Sequence, residues 1–527
     1  MKPLAEAVMR PSRFSVLTLV LGLGLCAATL GNMAIAAEQQ RPADWPTQGW
    51  QTSTPEEQGM DPVALARLVE SGARQSMDSI LIVRHGKIVL DAYYAPYSAD
   101  MPHVVNSVTK AVIGTLTSFA LKDGLLTGTD QPALPFFGER NILNLDDRKK
   151  AITLQGLLDM TSGLTWEEGL GEGPPLSVID MERSRNWIEF ILNRQMAATP
   201  GDGFNYNSGN PHLLSAILTK VTGMSAEDYA KARLFGPLGI TAWKWRRDLQ
   251  GISTGGYGLA LHPRDMAKFG YLYLRNGEWE GKPLVPRDWI DKVNHATVDM
   301  HLSFAPAWRY SNFFWALPDS NVYWASGYHC QLIVVYPALD LVAVTTGRNG
   351  CAVTTLLPSI AASIKSETAI QPDTDGTELL ASAIRAISTE KPSEVGPTPE
   401  IASTISGKIY AFARNPLGVK SLTLTLVGPN PHYDFELYSR NSARPPEMIS
   451  GPIGLDGLYR KGKDTPYGPL AVKGRWLDDH AFEVERINIG SSELSRKWTL
   501  SFDGDKVSLR GKNYEGVDVA IDGQSGG

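Results

Sequence analysis

The chain changes character near residue 366, and that break limits the architectures open to it. Upstream, helical periodicity alternates with β-rich runs. Residues 367–402 are rich in Ser, Thr, Glu and Pro and read as a linker with one short helix around 377–387. Beyond it, runs at 421–426, 433–437, 470–473, 482–487 and 507–509 are short and alternating, separated by Gly, Asp, Asn and Pro turns. That pattern predicts a small all-β barrel or sandwich over 403–527. A chain of 527 residues exceeds one ordinary hydrophobic core, so two or three units are expected. Hydrophobic residues at 43% and charged residues at 20% mark it as globular rather than disordered.

The first 37 residues have the layout of a targeting segment. Lys2, Arg10 and Arg13 precede an apolar run from Phe14 to about Ile35, and Ala34-Ile35-Ala36 offers a small-residue cleavage site. An uncleaved membrane anchor is the other reading, since the run approaches the roughly 20 residues needed to span a bilayer. Cleavage predicts a periplasmic or secreted protein with no stable membrane span. Of the three cysteines, Cys330 and Cys351 then remain, flanking an expected hairpin of 331–336 and 341–346 around Pro337-Ala338-Leu339-Asp340. In an exported protein they form either a disulfide or two buried thiols.

Between 38 and 366 the runs 79–83 and 88–93 read as a hairpin around His85-Gly86-Lys87. A helix is expected from Ser107 to Leu121, stopped near Gly124, and another over 356–365. Strands at both ends of this stretch, with helices between, predict an α/β unit with an antiparallel sheet flanked by helices.

A serine hydroxyl needs a base within reach before it becomes a useful nucleophile. Gly251-Ile252-Ser253-Thr254-Gly255 matches the Gly-x-Ser-x-Gly elbow, but that elbow requires a helix directly after it. Here Gly255-Gly256-Tyr257-Gly258 follows instead, and the reading is a glycine-rich loop, with a lipase-like hydrolase as its rival. Ser107-Val108-Thr109-Lys110 has better context than the same pattern at Ser388-Thr389-Glu390-Lys391. Ser107 opens an apolar helix, so three residues of spacing put Lys110 on the same face, beside unpaired N–H groups that favour negative charge. An unperturbed lysine pKa near ~10.4 leaves the amine protonated at pH 7, at a cost of about 4–5 kcal/mol for use as a base. Burial is the usual way to lower that cost. A tyrosine able to share the proton would complete the set.

Such a tyrosine occurs in Gly203-Phe204-Asn205-Tyr206-Asn207-Ser208-Gly209-Asn210. Together with Ser107-Val108-Thr109-Lys110, this segment resembles the serine β-lactamase and penicillin-binding-protein superfamily. Among its branches it is similar to the class C β-lactamase-related hydrolases of the 6-aminohexanoate-dimer hydrolase type. Leu157-Leu158-Asp159-Met160-Thr161-Ser162-Gly163-Leu164, Leu234-Phe235-Gly236-Pro237-Leu238-Gly239-Ile240, Gly256-Tyr257-Gly258-Leu259 with Arg264-Asp265-Met266-Ala267, and Ala325-Ser326-Gly327 agree in order. The resemblance covers roughly residues 50–366.

It implies Ser107 as the acylated nucleophile, with Lys110 and Tyr206 jointly serving as base and proton relay. It implies an oxyanion hole from the backbone N–H groups of Ser107 and Tyr328, the latter just after Gly327. Two departures matter. Ser208 stands where β-lactamases commonly have Asn, and Ala325 where they have Lys. Without that lysine a β-lactam carboxylate loses a partner, which favours small esters or amides. His329 is either a substrate-orienting group, an auxiliary base or a hydrogen-bonded wall residue. Trp308, Phe313, Phe314 and Trp315 either line an apolar cleft or pack the core.

The expected activity is cleavage of an amide or ester bond in a small-molecule or peptide-like substrate. The rival is a catalytically silent penicillin-binding-like sensor or scaffold. No cofactor is implied, and the nine histidines lack metal-binding spacing. With Lys+Arg 50 against Asp+Glu 56 and a net charge of −6, no basic excess exists to attract nucleic acid, and none is expected as a partner. The sequence sets no oligomeric state.

Overall fold

The computed structural model describes residues 45–170, 175–438, 445–465, 468–513 and 516–526. The targeting segment at 1–37 lies outside them. Among the described residues no helix is long and apolar enough to cross a membrane.

Helix α1 (Pro62–Arg74) starts on Asp61, whose carboxylate accepts from the N–H groups of Val63 and Ala64. The following hairpin pairs β1 (Met77–Arg84) with β2 (Lys87–Tyr93), as the alternation around His85-Gly86 predicts. Helix α2 (Val108–Lys122) is next, buried on nearly every side, and is followed by α3 (Gly209–Thr222) and α4 (Pro263–Leu274). Five antiparallel strands close this half: β3 (Arg309–Ser311), β4 (Phe314–Leu317), β5 (Val322–Gly327), β6 (Gln331–Tyr336) and β7 (Leu341–Gly347).

They assemble into one nine-stranded sheet ordered β2-β1-β7-β6-β5-β4-β3, with the short strands Gln51–Thr52 and Val298–Asp299 at its edges. The terminal hairpin thus inserts beside the N-terminal one, with Val342 opposite Val83 and Val344 opposite Leu81. Strands β6 and β7 are buried along their whole length because helices cover both faces. On one face α4 lies so close that a Cβ on Gly270 would meet Ile333 and Val342; on the other, a Cβ on Gly72 of α1 would meet Ile80. The antiparallel sheet flanked by helices is therefore as the sequence predicts. The helix expected over 356–365 runs instead from Val353 to Ala362. Helix α5 (Thr374–Ile387), in the stretch read as a linker, packs along α1, and Thr377 donates to Glu56 at 2.6 Å.

The choice between barrel and sandwich resolves as a barrel. Ten strands follow: β8 (Ile409–Phe412), β9 (Val419–Thr425), β10 (His432–Leu437), β11 (Glu447–Pro452), β12 (Arg460–Thr465), β13 (Gly468–Trp476), β14 (Ala481–Asn488), β15 (Ser491–Asp503), β16 (Lys506–Lys512) and β17 (Asp518–Ser525). Each pairs antiparallel with its neighbour in sequence except β11 and β12, and β8 pairs with β17. The edges β11 and β12 lie side by side, so the barrel nearly closes. Its interior holds Tyr410, Phe412, Tyr433, Phe435, Phe482, Trp498 and Phe502 among aliphatic residues. Pro46–Gly527 forms one unit by its contacts, so the barrel and the helix-flanked sheet share an interface.

Candidate active site

Ser107 immediately precedes α2, with φ −69° and ψ −6°, and its hydroxyl caps no helix N–H. One helical turn on, Lys110 turns its amine back to within 2.8 Å of the Ser107 hydroxyl oxygen. The three-residue spacing produces this contact. Lys110 is 1% exposed, surrounded by the apolar residues that make α2 a buried helix.

Two further groups reach the same amine. The Gly256 carbonyl oxygen lies 2.7 Å from Lys110 Nζ and the Ser208 hydroxyl 2.9 Å away. Ser208 sits directly before α3, and its single proton goes to Glu168 Oε1 at 2.6 Å. Ser208 Oγ must therefore accept from Lys110, and a carbonyl oxygen can only accept. Both N–H bonds of a neutral amine are thereby assigned, and its lone pair faces Ser107. Burial pulls the Lys110 pKa down to about 8, against the opposing pull of the Glu168 carboxylate. At pH 7 roughly a tenth of the molecules then carry the neutral amine, against well under a thousandth for an ordinary lysine.

Tyr206 completes the cluster. Its phenol lies near enough to Ser107 for the serine hydroxyl to act on its ionisation, and Lys110 Nζ lies 4.8 Å from its ring centroid. Burial, and next the Glu168 charge, push its pKa well above the usual phenol range, so Tyr206 holds its proton. Its ring faces Trp315 at 6.2 Å and Tyr310 at 6.5 Å. The four aromatics named from sequence divide between two roles. Trp315 faces Tyr206 and contacts Trp308 at 5.8 Å, whereas Phe314 packs on Tyr273 and Phe269 in the core. Phe313 lies against α2 near Gly114.

Strand β5 ends beside Ser107. A Cβ at Gly327 would lie 2.3 Å from the Val105 carbonyl oxygen and 3.2 Å from the Ser107 nitrogen, so only glycine allows this approach. The next residue, Tyr328, thereby comes alongside Ser107. Its side chain is 65% exposed and stacks on His329 at 3.7 Å. His329 and Cys330 both have positive φ, 61° and 73°, a turn that non-glycine residues adopt at a cost. Gln331 braces that turn: the two hydrogens of its side-chain amide are shared among the carbonyls of Tyr328, His329 and Gly347, with one hydrogen bifurcated. A Cys330–Cys351 disulfide, Cα atoms 5.5 Å apart, ties it to the segment after β7. Burial lowers the His329 pKa to about 4, so its imidazole is neutral at neutral pH.

The structure thus brings Ser107, Lys110, Tyr206, Ser208 and Gly327 together, with Tyr328 and His329 on the adjoining turn. Ser208 bridges Lys110 and Glu168. Glu168 escaped the sequence reading: Glu167 and Glu168 are adjacent, and only the backbone decides which one points inward. Glu168 is held by Ser208 N at 2.8 Å and Trp166 Nε1 at 2.7 Å as well as by the Ser208 hydroxyl. The competing serine, Ser253, is wholly buried and its hydroxyl accepts from Glu227 N at 3.2 Å. Ser388 caps the end of α5, donating to the Arg385 carbonyl at 3.0 Å.

A family model described as Beta-lactamase matches residues 64–348, the stretch that carries every member of this cluster. The chain is 25% identical over 290 residues to the 6-aminohexanoate-dimer hydrolase of Paenarthrobacter ureafaciens, covering 51% of this chain and 71% of that protein. It is 26% identical over 181 residues to Protein flp of Staphylococcus aureus (strain MRSA252), covering 32% of this chain and 35% of that one. Among solved structures, the octameric penicillin-binding protein homologue from Pyrococcus abyssi aligns with a TM-score of 0.46 at 16% identity, over 88% of this chain and 99% of that one.

Proposed function

The chain belongs to the beta-lactamase family, and on that premise we propose that it is an exported serine hydrolase that cleaves an amide or ester bond through an acyl-enzyme on Ser107. The observation that carries this reading is the buried Lys110 amine, 2.8 Å from the Ser107 hydroxyl with its other hydrogen bonds already assigned. In the first step the Ser107 proton passes to the Lys110–Tyr206 pair as Oγ attacks the substrate carbonyl carbon. The N–H groups of Ser107 and Tyr328 receive the developing oxyanion. Collapse expels the amine or alcohol, which takes the proton back from the pair, and the Oγ–carbonyl bond remains. Water, deprotonated by the same pair, then attacks the acyl carbon and releases the acid, returning the proton to Ser107.

A relative named for hydrolysis of 6-aminohexanoate dimer supports a small-molecule or peptide-like substrate. The targeting layout of residues 1–37 and the Cys330–Cys351 disulfide support a periplasmic or secreted location, where disulfides persist.

The test is labelling of the mature protein with a fluorophosphonate alongside turnover of p-nitrophenyl esters, amino-acid amides, aminohexanoate oligomers and nitrocefin. The reading expects stoichiometric label on Ser107, multiple turnovers of an ester or amide, and loss of both in Ser107→Ala. Label persisting in Ser107→Ala would sink the assignment. Acylation with no turnover would favour a sensor instead.

A further inference from the structure

The turn joining β14 and β15 is buried against the other half of the molecule. Its tip, Ile489-Gly490, meets the segment that leads into Ser107. Ile487, Ile489 and Ala471 form a buried cluster with Tyr97. Gly490 has φ 80°, and a Cβ there would lie 2.5 Å from the Pro102 carbonyl oxygen, so the approach requires glycine. The Gly490 carbonyl accepts from Val104 N at 2.7 Å, extending the short strand His103–Val104.

Two residues beyond the tip, Ser492 reaches the site itself. The Asn106 side-chain amide donates to Ser492 Oγ at 3.0 Å and to the Tyr328 carbonyl at 3.0 Å, which uses both of its hydrogens. Asn106 is buried, directly precedes the nucleophile and has φ 47°, a left-handed conformation that needs support. Its amide therefore ties Tyr328 and the barrel residue Ser492 to the position directly before Ser107. The Tyr328 carbonyl, held by both Asn106 and Gln331, lies in the peptide that follows Tyr328, so these bonds restrain residue 328 at its Cα and thereby the adjoining 327–328 peptide that carries its N–H.

We propose that the C-terminal barrel is a positioning element for acylation: Ser492 orients Asn106, and Asn106 holds the two halves of the oxyanion hole in register. This rests on the acyl-enzyme reading above. Removing a direct oxyanion donor costs about a hundredfold or more in kcat, so loosening one through its support is expected to cost about tenfold.

The experiment uses the full-length mature chain as wild type, Ser492→Ala, Ser492→Thr and Gly490→Ala. It reads the second-order rate of fluorophosphonate labelling at Ser107, and kcat and KM separately for a p-nitrophenyl ester. Ser492→Ala is expected to lower the labelling rate and kcat about tenfold with KM within about twofold of wild type, and Ser492→Thr to restore both. Gly490→Ala, which lifts the tip, is expected to reproduce the kcat loss. Wild-type labelling and kcat in Ser492→Ala and Gly490→Ala would overturn the proposal, as would a loss that Ser492→Thr fails to restore. Absence of label on Ser107 in the wild type would instead overturn the acyl-enzyme reading, so the two failures are distinguishable.

Discussion

Replacing Glu168 with Gln should move the pH dependence of acylation toward acid. Glu168 acts on Lys110 across one hydroxyl: Lys110 Nζ to Ser208 Oγ is 2.9 Å and Ser208 Oγ to Glu168 Oε1 is 2.6 Å. The charges are therefore no more than about 5.5 Å apart, worth about 3 kcal/mol at an effective dielectric near 20 and half that at twice the dielectric. In pH terms this is about one to two units. The carboxylate favours the protonated amine, opposing the burial that sets the Lys110 pKa at about 8. Removing its charge leaves burial unopposed, and Gln keeps the size while its NH2 replaces one of two accepting oxygens. Tyr206 is the proposed partner of Lys110 in proton transfer, and Glu168 raises its pKa too, so both members of the pair move the same way. The assay is the labelling rate at Ser107 from about pH 5.5 to pH 10. In the wild type it should rise about tenfold per pH unit below a midpoint near 8, then level off. In Glu168→Gln the midpoint should fall by about one to two units, with a lower plateau because the base is weaker. An unmoved midpoint, or one displaced to alkaline pH, would refute Glu168 as the counterweight to burial.

Three shorter expectations accompany it. Gly327→Ala should cut kcat about a hundredfold or more, because its Cβ would sit 2.3 Å from the Val105 carbonyl oxygen and drive β5 from Ser107; steady-state kinetics showing less than a twofold change would contradict that packing. Replacing Cys330 and Cys351 together by Ser opens a loop of sequence separation 21 and should cost about 3 kcal/mol of stability, read from denaturant midpoints. Ser253→Ala should lose about 1 kcal/mol, since its buried hydroxyl satisfies Glu227 N, yet label at Ser107 at the wild-type rate; loss of labelling would return Ser253 to candidacy.

What could be read from the chain follows from how local each signal is. The helix after Ser107 and the strands 331–336 and 341–347 carry continuous apolar patterns, and the structure forms them where those patterns lie. Strand β12 reads Arg-Lys-Gly-Lys-Asp-Thr and has no apolar face; pairing with β13 alone makes it a strand. Barrel closure was equally hidden, because it depends on β8 meeting β17 across the whole C-terminal segment. The helix at 353–362 begins before its apolar run, where β-branched Val353-Thr354-Thr355 suggests extended backbone. In the site, Ser107 and Lys110 were legible because one helical turn joins them. Ser492 was not, since 386 residues separate it from Asn106.

The two departures from the family pattern acquire a shared meaning once Glu168 is placed. Lysine at 325 and asparagine at 208 would add a second cation and remove the hydroxyl that links Lys110 to Glu168. Here Ala325 is fully buried and carries no charge, and Ser208 delivers a carboxylate to the far side of the lysine. When Lys110 gives up its proton to become a base, Glu168 is left as the nearest charge to Ser107 among the groups that contact the cluster. On the proposed acyl-enzyme reading, a substrate carboxylate next to the scissile bond would then enter a negative field with no lysine to receive it, whereas a neutral ester or amide would enter without that cost. Direct contact between Glu168 and Lys110 would hold the amine protonated, and no acid at all would leave burial to make it a weak base. The intervening Ser208 hydroxyl sets the distance between those outcomes, which brings the lysine pKa close to the pH at which a general base is most effective.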